Sequence, residues 1–241
     1  MVRRRVDASP GGVVNLSSHP DVRNTGVPRV LSGRGLWLAA AVALLAGCAS
    51  AARVEVASQF PTPLVEPLPV RAAVYYEDAL RQFAHSETIP QHSQWEFELG
   101  QASLSLFRPL FGALFQQVET LERAPQPGEI PHVDLIIAPR LERFEFDIPR
   151  HRDSRFAEVW MQYRLFVYAP DGTPIAEWPV TGYGKSAASG TLPRAALHDA
   201  AVRAMREAGA TISVRFASQP DVRNWLQENR HAPHAAQNGD G

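Results

Sequence analysis

Val159-Trp160-Met161-Gln162-Tyr163-Arg164-Leu165-Phe166-Val167-Tyr168-Ala169-Pro170-Asp171-Gly172 is the stretch whose reading decides the fold. Val159, Met161, Tyr163, Leu165 and Val167 recur at every second position, the period of a long strand with one face in a core. Pro170-Asp171-Gly172 then supplies a turn. Proline presets φ, the aspartate side chain can bond its own backbone, and glycine tolerates a left-handed conformation. Residues 175–182 return as the hairpin partner.

Working outward, residues 193–208 place Leu197, Ala200, Ala201, Ala204, Met205 and Ala208 on one helical face, small enough to approach a sheet closely. Upstream, 133–148 is strand-like but changes apolar phase. Val133, Leu135, Ile137 and Leu141 share one parity, and Phe144, Phe146 and Ile148 the other, so a bulge is expected near Pro139. Leu104, Phe107, Leu110, Phe111, Leu114, Phe115, Val118 and Leu121 predict one amphipathic helix, kinked at Pro109 or starting at Arg108. Residues 70–76 and 95–99 read as two further strands, and 220–229, with Trp225 and Leu226, as a short helix. The order strand, strand, helix, three strands, helix predicts an α+β two-layer sandwich: about five mostly antiparallel strands with two main helices on one face.

Composition sets limits. Of 24 basic residues Lys185 is the only lysine, and Cys48 is the only cysteine, so an internal disulfide and a multi-thiolate zinc site are excluded. Residues 1–47 carry six arginines against Asp7 and Asp21, a net of +4, whereas 48–241 carry 18 basic and 23 acidic side chains, a net of −5. A mildly acidic body without a basic cluster argues against nucleic-acid binding.

The basic excess precedes Leu36-Trp37-Leu38-Ala39-Ala40-Ala41-Val42-Ala43-Leu44-Leu45, an uncharged run too short to span ~30 Å of hydrocarbon as a helix. It ends in Leu45-Ala46-Gly47-Cys48, which resembles the lipobox of bacterial lipoproteins: an aliphatic residue, two small ones, then cysteine. The resemblance implies cleavage between Gly47 and Cys48 and acyl chains on Cys48, each buried CH₂ contributing ~0.8 kcal/mol to membrane attachment. Ala49 after the cysteine favours the outer membrane under the enterobacterial sorting rule. Residues 1–28 show no apolar periodicity; they read either as an extension upstream of true initiation near Val27 or Val30 or as a disordered leader region. The expected organisation is therefore a signal peptide with such an extension (1–47), an acylated tether (48–69) holding Pro61, Pro63, Pro67 and Pro69, an α+β domain (70–217), and a short helix with a disordered tail (218–241).

Fragments of catalytic motifs do not add up to a site. Gly182-Tyr183-Gly184-Lys185-Ser186 imitates the end of a phosphate loop, but Pro179 stands where its first glycine belongs, and a flexible glycine loop is expected instead. His151-Arg152-Asp153 spells a kinase triplet without the rest of that motif set. Arg150, Arg152 and Arg155 make the same loop locally basic. His85, Glu87 and His92 lack metalloprotease spacing, and His132 with Asp134 would supply two metal ligands but no third. No catalytic residue, cofactor or metal is expected.

Trp160, Phe166, Tyr168 and Trp178 are candidates for the sheet face opposite Met161 and Leu165. If helices cover one face only, these aromatics either form a partner-binding patch or are covered by the Trp225 segment or the proline tether folding over them. The stretch from Trp160 through Tyr168-Ala169-Pro170-Asp171-Gly172 and Trp178 to the alanine-rich helix is similar to small periplasmic α/β lipoproteins: those of lipopolysaccharide assembly (LptE-like), curli secretion and transporter auxiliaries. The resemblance spans about residues 70–216. It implies an outer-membrane-anchored, non-enzymatic accessory of an envelope assembly or transport system, with the membrane and an envelope protein as partners. A periplasmic hydrolase with a site assembled from scattered His and Asp residues is the alternative.

Overall fold

A computed structural model describes residues 51–56, 59–89, 94–149, 155–188 and 193–229. The chain divides into two units, Met1–Cys48 and Ala49–Gly241, and every described residue belongs to the second. Gly47, Cys48 and the apolar run before them, like Arg150, His151, Arg152, Asp153 and His92, lie outside the described residues.

The period-2 stretch forms β7 (Phe156–Tyr168), and Pro174–Ala187 returns antiparallel as β8. Gly172 sits between them at φ 87°, and the Asp171 carboxylate accepts the Thr173 amide at 2.9 Å. β6 (Leu135–Asp147) pairs antiparallel with β7, completing a meander. β2 (Leu68–Tyr75) joins β6 in parallel and β5 (Phe115–Leu121) joins β2 in parallel, giving the order β5-β2-β6-β7-β8. A second sheet, β1-β4-β3, is built from Ala52–Glu55, Gln94–Glu98 and Ala84–Thr88. Helices α1 (Asp78–Arg81), α2 (Gly100–Leu114), α3 (Arg194–Arg215) and α4 (Pro220–Asn229) complete the α+β architecture, with a 3-10 turn at Phe216–Ser218.

One face of the five-stranded sheet carries the core. Val159, Met161, Tyr163, Leu165 and Val167 are buried there with Phe107, Phe111, Leu197, Ala204 and Ile212 from α2 and α3. The small sheet covers the far end of that same face: Phe97 of β4 lies 4.8 Å from Phe144 and 4.7 Å from Phe146, ring centre to ring centre. α3 approaches β8 closely because both surfaces are small. A Cβ on Gly182 would fall 2.0 Å from the Ala204 carbonyl oxygen, and one on Gly184 1.8 Å from that of Ala200.

Several expectations need correction. Residues 48–69 are not all tether: β1 starts at Ala52 and pairs in parallel with β4, its Ala52 and Val54 lie in the core, and so do Val56 and Phe60 beyond its end. Alternating Val54 and Val56 carry strand information that the proline density overshadows. The helix expected through residue 121 ends at Leu114, and Phe115 turns extended (φ −122°, ψ 150°) to start β5. α2 runs through Pro109 from Gly100, so it does not start at Arg108. The phase change in β6 is resolved between Leu141 and Arg143, not at Pro139, which pairs in register with Leu165. Gly182-Tyr183-Gly184-Lys185-Ser186 is strand rather than flexible loop, its glycines required by α3. The sheets hold eight strands rather than about five, adding β1, β3 and β5 among the described residues. The body also extends past 217, since α4 buries Val222 and packs Trp225 and Leu226 against the core.

Candidate docking surface

With α2, α3 and the small sheet on one face, the other face of the five-stranded sheet presents the alternate side chains of β6, β7 and β8. From β7 these are Phe156, Glu158, Trp160, Gln162, Arg164, Phe166 and Tyr168, and from β8 Glu177, Thr181, Tyr183 and Lys185. Charges along this face neutralise one another, most of them across the strand ladders. Arg164 donates to Glu142 at 2.6 Å and to Glu177 at 2.7 Å, Arg140 donates to Glu77 at 2.8 Å, and Lys185 lies 3.1 Å from Glu158. The hydrogen bond from Arg164 holds the Glu142 carboxyl below the usual carboxylate range.

The four aromatics named from sequence are not one patch. Trp178 is the register partner of Leu165, so it lies on the core side, lining a cleft of about 550 Å³ with Thr211, Arg215 and Gln219. Tyr168 packs against a small second cluster of Ala73, Val133 and Ile136, beneath the connection from β5 to β6. Phe166 is half-buried under the Arg140 guanidinium, 4.5 Å above its ring. Only Trp160 is exposed, at 37%, and it lines a shallow depression of about 250 Å³ with Arg143, Glu145, Gln162 and Thr181.

The exposed aromatic neighbours of Trp160 were missed by the sequence reading. Tyr183 is its register partner, 5.2 Å away ring to ring and 38% exposed; Phe156, 43% exposed, stands four residues earlier on the same strand with Lys185 Nζ 4.2 Å from its ring centre. The signal was available: Trp160 and Phe156 share a parity, and pairing through the Pro170-Asp171-Gly172 turn brings Tyr183 beside them.

Elsewhere, groups that look chemical are engaged locally. His132 is 3.1 Å from both Glu119 oxygens while Asp134 binds Arg71 at 2.9 Å, so the two suspected ligands have separate partners. His85 is 3.5 Å from Glu87, and its ring packs at a tilt against Phe144, 5.2 Å centre to centre. Ser103 and Tyr163 share a wholly buried hydrogen bond of 3.0 Å, and burial pushes the Tyr163 phenol well above its ordinary range. A cleft of about 660 Å³ opens at the start of α2, lined by Glu55, Arg81, Glu98 and Gln101 among others. Arg81 gives its Nε–H to the Tyr76 carbonyl at 2.8 Å, while its Nη2 is buried without a hydrogen-bond partner. Among the described residues no group of three or more His, Cys, Asp or Glu is placed to hold a metal ion, and no helix is long and apolar enough to cross a membrane.

No protein-family model matches the chain, and no curated protein does. Solved structures resemble it distantly. A candidate lipoprotein of Caulobacter crescentus aligns with 54% of this chain and 83% of its own, at 13% identity and a TM-score of 0.37. The hypothetical protein CT253 of Chlamydia trachomatis covers 63% of this chain and 100% of its own, at 11% identity and a TM-score of 0.37. A candidate homologue of the neuraminyllactose-binding hemagglutinin from Helicobacter pylori covers 73% and 99%, at 12% identity and a TM-score of 0.44. Likeness at this distance carries no function over.

Proposed function

We propose that this chain is a lipoprotein of the outer membrane, facing the periplasm, whose α+β body is a non-enzymatic accessory of an envelope assembly or transport system. The observation that carries the reading is Leu45-Ala46-Gly47-Cys48 at the end of a short apolar run that follows Arg29 and Arg34. Acyl chains on Cys48 would hold a water-soluble body at the bilayer, two or three chains being enough for stable attachment. A docking role is supported by the outer sheet face, where, among the described residues, half-buried Phe166 and Tyr168 lie beside the paired charges of Arg140 and Arg164. The polar groups with chemical potential, Ser103, Tyr163, His132 and Asp134, are bound to one another or to neighbouring side chains, which favours docking over hydrolysis.

Intact-mass spectrometry of the protein purified from membranes tests this. The expected product begins at Cys48 and carries diacylglycerol, and Cys48→Ser accumulates as an uncleaved precursor without lipid. A native product that starts elsewhere or is free of lipid overturns the reading. Crosslinking of the acylated protein in membranes, followed by pull-down, should then recover a recurring envelope protein.

A further inference from the structure

We infer that the strip Phe156–Trp160–Tyr183, with Lys185 and Arg155 beside it, lies in the headgroup region of the bilayer to which Cys48 is anchored. This rests on acylation of Cys48 as proposed above. The argument begins with chain length. Only residues 49–51 separate Cys48 from Ala52, the first residue of β1, and a fully extended chain advances at most ~3.6 Å per residue. A lipid-bearing cysteine therefore keeps the start of β1 within roughly 15 Å of the membrane surface, whatever path those residues take.

The ladders say which end of the body this is. Ala52 is the register partner of Trp95. The Trp95 ring centre is 6.2 Å from that of Phe146, near the end of β6, and Phe146 adjoins Glu145, the register partner of Trp160. β6 ends here, β7 begins here at Phe156, and β8 ends here with Phe156 opposite Ala187. The anchored end of β1 and the exposed aromatic strip thus belong to the same end of the five-stranded sheet. The turn at Asp171 lies at the other end of β7, beyond Tyr168.

The strip has the chemistry of an interfacial contact. Tryptophan and tyrosine combine an apolar ring with a polar edge and settle at headgroup level. Arg155 is exposed, and Lys185, paired with Glu158 and lying over Phe156, can extend its ammonium toward phosphate while its stem stays on the ring. Acidic groups are also near: Glu145, opposite Trp160, and Glu207, which accepts the Tyr183 amide at 2.6 Å. The contact is therefore aromatic in the main, with a small basic contribution. It leaves the Arg140, Phe166 and Tyr168 end of the face turned toward the periplasm for a protein.

Tryptophan quenching in the full acylated protein tests the placement. The protein, its lipid verified by mass spectrometry, is reconstituted in phosphatidylethanolamine–phosphatidylglycerol vesicles containing lipids brominated near the headgroup. The expected result is quenching that falls by about half or more in Trp160→Phe and is unchanged in Trp225→Phe, an interfacial tryptophan being the accessible one. Circular dichroism confirms that both variants fold. Acylated protein whose quenching is unaffected by Trp160→Phe overturns this placement alone, including the case in which that variant instead loses a crosslinked protein. Absence of acyl mass overturns both this inference and the anchored reading beneath it.

Discussion

Gly184 shows how tightly one residue can be specified by what passes over it. The α3 backbone runs so close that any side chain would collide with the Ala200 carbonyl, and a carbonyl in a helix cannot swing away as a long side chain could. Gly184→Ala is therefore expected to lower stability by about 1–3 kcal/mol or more, read as a lower denaturant midpoint at unchanged slope. Ser103 and Tyr163 make a second case. Each hydroxyl is buried and has the other as its hydrogen-bond partner, which ties α2 to β7. Tyr163→Phe strands the serine hydroxyl and should destabilise the fold by about 1–3 kcal/mol. Ser103→Ala combined with Tyr163→Phe removes both polar groups and should cost less than the two single changes added together, which a double-mutant cycle measures.

The phase switch within β6 carries a prediction at the scale of the element. One additional residue between Leu141 and Arg143 lets Leu135 and Leu141 face the helices while Phe144 and Phe146 face the small sheet. Deleting Glu142 restores strict alternation and turns one of these two sets toward water, so loss of cooperative unfolding is expected. Glu142→Gln keeps the bulge and removes the carboxylate. Because Arg164 depresses that carboxyl below its ordinary value of 4.5, the folded state holds fewer protons than the unfolded chain. The stabilisation is complete above about pH 4.5 and fades as pH falls through the folded value. Urea unfolding should therefore separate wild type from Glu142→Gln at neutral pH and bring them together in acid. The alternation of β7 and β8, the Pro170-Asp171-Gly172 turn, the alanine face of α3 and the need for a bulge were all legible in the sequence, because each is a local pattern. Its position was not, since Pro139 looks like an interruption while the ladder tolerates it and places the extra residue at Glu142. The end of α2 was illegible for a similar reason. Leu114, Val118 and Leu121 keep helical spacing by chance, and only the vacant edge beside β2 converts 115–121 to strand. The outer-face aromatics were partly legible: parity placed Trp160 correctly, while Trp178 needed the register of β8, which no local pattern reports.

For the molecule as a whole, the consequential reassignment is residues 52–56 together with Phe60. A segment rich in prolines downstream looks like spacer throughout, yet its first part is a strand of the small sheet, so the body is built from residues that begin at Ala52, four positions after Cys48. Within this stretch, burial rather than proline content should decide how substitutions behave. Phe60 is buried in the main cluster, whereas Leu64 is fully exposed at 103% among Pro61, Pro63 and Pro67. Phe60→Ala is expected to lower stability by about 3–5 kcal/mol, the cost of emptying a core site of phenyl size. Leu64→Asp should stay within about 0.5 kcal/mol of wild type, since it has nothing to unpack. Thermal or urea unfolding of the two variants measures the contrast directly. Equal effects would mean that the Phe60 position behaves as spacer rather than core.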